Sequence, residues 1–103
     1  MNIVVTREDH TVHLVLQGEI DELAAEDLKK RLRDVALTAP QRVELDFAGV
    51  SHIGSAGIGK LLVFYKDLAI HGAVLALVRV PAPIYHLFRE MKLDSIFSIS
   101  EGQ

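Results

Sequence analysis

The chain has no cysteine among its 103 residues. That absence excludes disulfides and thiolate metal ligands, and it leaves the redox compartment open. No run approaches the roughly 18 consecutive apolar residues that a membrane-spanning helix requires. The opening Met1-Asn2-Ile3-Val4-Val5-Thr6-Arg7 has no basic stretch, no long apolar core and no small-residue cleavage site, so it does not read as an export leader. A cytoplasmic chain that does not enter a membrane is the expectation. Blocks of like charge are also absent, and the formal charge is −3, so nothing invites nucleic acid. There is no repeat, linker or low-complexity segment. What is present is a half-apolar composition, enough for one core, and residues 1–103 are expected to form a single domain.

Ile3 to Thr6 is rich in β-branched residues, and Arg7-Glu8-Asp9-His10 suits a hairpin turn. Thr11 to Gln17 alternates, with Val12, Leu14 and Leu16 on one side. Gly18-Glu19-Ile20-Asp21 ends that strand, and Asp21 is suited to cap a helix over 22–36 with a Leu28, Leu32, Val35, Ala36 stripe. Lys29, Lys30, Arg31, Arg33 and Asp34 form its solvated side. After Pro40, Val43 to Phe47 returns to period two. A second helix is predicted over 56–70, with Ile58, Leu61, Leu62, Tyr65, Leu68 and Ala69 inward and Gly72 just past its end. Ala73 to Val80 reads as a largely buried strand. Pro81-Ala82-Pro83 opens a third helix to about Met91, with Ile84, Leu87, Phe88 and Met91 inward. Leu93 to Ile99 is either a short edge strand or an irregular tail. Single strands alternating with helices require right-handed crossovers and a mainly parallel sheet, to which the first hairpin adds an antiparallel edge.

The segment Gly54-Ser55-Ala56-Gly57-Ile58-Gly59 lies where a strand hands over to a helix, a point at which free N–H groups and the helix dipole favour an anion. It is not a Walker loop, because Lys60 is followed by Leu61-Leu62. Its glycine spacing reverses the dinucleotide-binding order, and Ile53 stands where a nucleophile elbow needs glycine. No third group orients a Ser55-His52 pair for hydrolysis, and the five histidines show no metal-ligand spacing. Glu19, Asp21, Glu22 and Glu26 read as the acids ordinarily enriched at a helix start. Ser55 as a plain N-cap would account for the serine. It would not account for glycines at 57 and 59, each costing up to about 1 kcal/mol relative to alanine inside a helix, so a close approach to the backbone is expected. On a helical projection Ser55, Gly59, Val63 and Lys66 share one strip turned away from the apolar face, which suits docking of another protein.

Three stretches carry a resemblance: Gly18-Glu19-Ile20-Asp21, the block from Val43 to Gly59, and Pro83-Ile84-Tyr85-His86-Leu87-Phe88. Together they resemble the STAS domain (sulfate transporter and anti-sigma factor antagonist), and the likeness covers nearly the whole chain. It implies an α/β fold with a mixed sheet of four to five strands backed by helices. As a free-standing chain of this length it is most similar to bacterial anti-sigma factor antagonists. The resemblance implies a non-enzymatic protein without a cofactor, whose partner is an anti-sigma factor with serine kinase activity. Ser55 would be the phosphorylated residue, a phosphoserine phosphatase would reverse the modification, and Asp21 would be the acid near it. Gly54 departs from the family pattern, which usually has Asp there. The docking surface expected on these grounds is Asp21, Gly54, Ser55, Ala56, Gly57, Gly59, Val63 and Lys66. Two other readings stay open: a STAS scaffold or transporter accessory without phosphoryl control, and a module holding a nucleotide or other anion at the helix start.

Overall fold

The computed structural model describes residues 1–102. Its elements are β1 (Asn2–Glu8), β2 (Thr11–Ile20), α1 (Glu22–Leu37), β3 (Arg42–Ile53), α2 (Ser55–Ile70), β4 (Val74–Val80), α3 (Ala82–Glu90) and β5 (Ser98–Glu101), with a 3-10 turn at Leu93–Ser95 before the last strand. The five strands lie side by side in chain order. β1 and β2 pair antiparallel, and every later pair is parallel. Three crossovers of the same hand, each moving one strand further along, place all three helices on one face of the sheet.

Alternation along the strands matches that one-sided cover. Val12, Leu14 and Leu16 of β2 and Val43, Leu45 and Phe47 of β3 point under the helices, and each is at least nine-tenths buried. They meet Leu28 and Leu32 of α1, Leu61 and Phe64 of α2, and Phe88 of α3 in one continuous core. The rings of Phe47 and Phe88 pack in a T-shaped pair, 6.0 Å between centroids. On the uncovered face, His13 and Arg42 both reach Glu44, at 3.0 Å each. Arg79 turns back from a left-handed backbone (φ 52°) and donates to Asp46 at 2.9 Å through Nε. That hydrogen bond, and then the charge of Asp46, hold the guanidinium above its ordinary pKa.

Several elements differ from the sequence expectation, each for a packing reason. β2 and β3 run on to Ile20 and Ile53, past the Gly18 and Phe47 where alternation fades, because each supplies the other's backbone hydrogen bonds across register shifts between Val15 and Gln17 and between Gly18 and Glu19. α2 buries Phe64, whereas Leu62 and Tyr65 are only half-buried and Ala69 is exposed. α3 turns Ile84 and Phe88 inward but leaves Leu87, and Met91 at its C-cap, at 36% and 45% exposure, since this nine-residue helix buries only the stripe one turn wide that Ile84 and Phe88 form. The tail resolves into β5, with Leu93 and Phe97 buried beside it.

Candidate functional site

The parallel pairing of β2 with β3 sets Glu19 beside His52 and Ile20 beside Ile53, so both strands end at the same edge of the sheet. A helix starts from each end. Asp21 caps α1, its Oδ1 accepting from the Ala24 N–H at 2.8 Å. Gly54 is the cap residue of α2 with an extended backbone (φ −92°, ψ 176°), and no side chain closes that end. The two starts are tied together, since the Gly54 N–H donates to the Ile20 carbonyl at 3.0 Å.

Ser55 is therefore the first residue of α2 and not its cap, which corrects the plain capping reading. Its side chain is exposed. The intrahelical ladder begins only with the Ile58 N–H on the Gly54 carbonyl at 3.1 Å, so the N–H groups of Ser55, Ala56 and Gly57 precede it and face the helix end. Around them lies a shallow depression lined by Glu19, Asp21, Glu22, His52, Gly54, Ser55 and Ala56. Three carboxylates and one imidazole thus surround a hydroxyl that sits on an open helix N-terminus. Leu23, next to Glu22 in the chain, is 84% exposed, the most exposed of the large hydrophobic residues.

The expected docking residues separate in space. Asp21, Gly54, Ser55 and Ala56 meet at the depression. Gly57 does not belong to the surface. It is buried, and a Cβ built on it would lie 2.6 Å from Cγ2 of Ile20 and 2.9 Å from Cγ1 of Ile53. The close approach that this glycine permits is that of the domain's own strands. Gly59 meets nothing within 4 Å and faces outward, in line with Ser55, Val63 and Lys66, all exposed. Val63 does not reach the depression; it lines a separate groove between α1 and α2, and Lys66 lines neither. Glu19, Glu22 and His52 complete the rim, which the sequence pattern did not assemble because it depends on strand register. Leu23 gave no signal other than an apolar residue at a polar helix start. Among the described residues no cluster of His, Asp or Glu has a geometry that could hold a metal ion. None of their helices is long and apolar enough to cross a membrane.

A family model described as the STAS domain matches residues 2–102. Among solved structures, the chain is similar to an anti-sigma factor antagonist from Mycobacterium paratuberculosis, at 23% identity over 96% of this chain and 84% of that one, with a TM-score of 0.87. It is similar to an anti-sigma-factor antagonist (STAS) domain protein from Planctomyces limnophilus, at 20% identity over 98% and 90%, with a TM-score of 0.85. The Bacillus cell fate determinant SpoIIAA in its phosphorylated form matches at 18% identity over 95% and 90%, with a TM-score of 0.76. At these identities the likeness is one of fold.

Proposed function

The chain belongs to the STAS domain family, and on that premise we propose that it is an anti-sigma factor antagonist, a binding protein whose complex is dissolved by phosphorylation of Ser55. Its partner is an anti-sigma factor with serine kinase activity. Engaging that partner releases the sigma factor. The partner transfers the γ-phosphoryl group of ATP to Ser55 Oγ, the hydroxyl proton goes to a base of the kinase, and ADP leaves. A phosphoserine phosphatase restores the hydroxyl by hydrolysis.

The observation that carries this reading is the exposed Ser55 hydroxyl on the uncapped start of α2. A phosphate there brings about −1.5 to −2 charges. Within the domain that charge meets the unpaired N–H groups and the positive end of the helix dipole, which offset repulsion from Glu19, Asp21 and Glu22 on an open, solvated rim, so the fold tolerates it. Against a partner surface the same charge must be desolvated, and an unpaired charge in an interface costs about 2–5 kcal/mol. One modification therefore ends binding without unfolding the protein. Gly54 offers no carboxylate next to the serine, and Glu19, Asp21 and Glu22 supply the acidic surroundings from the neighbouring strand and helix.

The test is binding of a cognate kinase-type anti-sigma factor to wild type, Ser55→Ala and Ser55→Asp, with incubation of each in ATP. Wild type takes up one phosphoryl group and Ser55→Ala none, and Ser55→Asp binds at least about thirtyfold more weakly. Equal binding of Ser55→Asp and wild type sinks the switch and leaves a STAS scaffold without phosphoryl control.

A further inference from the structure

The run Lys29-Lys30-Arg31-Leu32-Arg33, unremarkable as a solvated helix side, acquires a different meaning once α2 lies beside it. Between the two helices is a groove of about 190 Å³ whose floor is Leu32, Phe64 and the half-exposed Val63. Its rim carries Lys29, Arg33 and Lys60 against a single acid, Asp67. Lys60 leans on Glu26 at 3.4 Å. Neither Lys29 nor Arg33 enters an ion pair among the described residues. A locally positive, apolar-floored groove on a chain of net charge −3 selects one sign of ligand.

We propose that this groove is a second docking site, and that it takes an acidic segment of a partner protein which seats one large apolar side chain on Val63 and Phe64. Carboxylates flanking that side chain meet Lys29, Arg33 and Lys60. The groove is continuous with the Ser55 strip, since Gly59 and Val63 follow Ser55 at successive four-residue steps on exposed positions. Val63 is about 12 Å from Ser55 along the helix. The surface is thus bipolar, with carboxylates around Ser55 and cations along the groove. Opposite charges at its two ends define the direction in which a partner lies on α2. The groove holds no part of Ser55, so its affinity for the acidic segment does not depend on phosphorylation there.

The experiment is an amide-shift titration of the intact chain with a short peptide bearing a central Leu-Phe flanked by glutamates, beside the same peptide with lysines. The acidic peptide is expected to shift amides of residues 29–33 and 60–67, and the lysine peptide to shift none. Arg33→Glu, on an exposed side chain that leaves the core untouched, weakens the acidic peptide about tenfold, and Ser55→Asp leaves it unchanged. Val63→Asp is expected to abolish binding. Three results overturn the proposal: no binding by the acidic peptide, shifts that map elsewhere, or equal binding of both peptides. Equal or tighter binding of anionic phospholipid vesicles or single-stranded RNA at the groove overturns it too, since those share only the charge. Because the peptide is not the kinase, failure here leaves the Ser55 switch standing, and failure of the switch leaves the groove.

Discussion

Two glycines two residues apart in α2 should respond to the same substitution in opposite directions. In Gly57→Ala the new methyl would start 2.6 Å from Ile20 Cγ2 and 2.9 Å from Ile53 Cγ1. Both are β-branched side chains paired across β2 and β3, at 0% and 3% exposure, so neither rotates away cheaply. Overpacking of this kind costs about 1–3 kcal/mol, against a helix-propensity gain of at most about 1 kcal/mol. The net expectation is a loss of about 1 kcal/mol. Gly59→Ala meets nothing within 4 Å, so only the gain remains. The two variants should differ by about 2 kcal/mol, which for a chain of this size separates their melting temperatures by roughly 8–16 °C. Urea titrations followed by far-UV circular dichroism read the difference directly, with unchanged slopes showing that the midpoints report stability. If Gly57→Ala is as stable as wild type, the strands do not press on α2 as described, and the glycine must be explained from outside the domain. The pair also separates fold from function, because an alanine methyl at 59 stands in the exposed strip where a partner is proposed to lie.

Other outcomes follow from the same geometry. Asp21→Ala removes the cap hydrogen bond to Ala24 and should cost about 1 kcal/mol in the urea titration, while Asp21→Asn retains most of that stability. Phe47→Ala deletes a fully buried ring in contact with Phe88 and should cost about 3–5 kcal/mol, lowering the urea midpoint steeply; a loss below about 1 kcal/mol would place Phe47 outside the core. Ser55→Asp, although expected to weaken kinase binding, should change thermal stability by less than about 1 kcal/mol, because the gain of a carboxylate in the first turn of an uncapped helix is opposed by repulsion from Glu19, Asp21 and Glu22. A marked drop in melting temperature for that variant would contradict the tolerance on which the switch depends.

Much of this arrangement is legible in the chain because the relevant physics is local. Alternation at Val12, Leu14 and Leu16 and at Val43, Leu45 and Phe47 identifies two strands and their core face. Asp21 reads as a cap and is one. The left-handed Gly72 (φ 74°) follows α2 where a helix stop is expected. Local signals fail where neighbours decide. Ala48-Gly49 breaks the alternation of β3, yet the strand continues to Ile53 because β2 lies alongside it. Leu87 and Met91 have the spacing of core residues, but α3 buries only the Ile84 and Phe88 stripe and leaves both exposed.

The glycine-flanked serine shows the same division. Sequence alone determined that a strand hands over to a helix near Ser55 and that the first turn carries more glycine than capping requires, since both follow from backbone propensities along a few residues. Tertiary structure decided what each residue does: Gly57 gives way to Ile20 and Ile53, Gly59 stays open, and Ser55 is left uncapped within a ring of Glu19, Asp21, Glu22 and His52. The same holds for the groove, where Arg33 and Val63 become neighbours only because α1 packs on α2. Propensity acts over a helical turn, whereas register and helix packing bring together side chains thirty residues apart, and both the rim and the groove are made of such pairs.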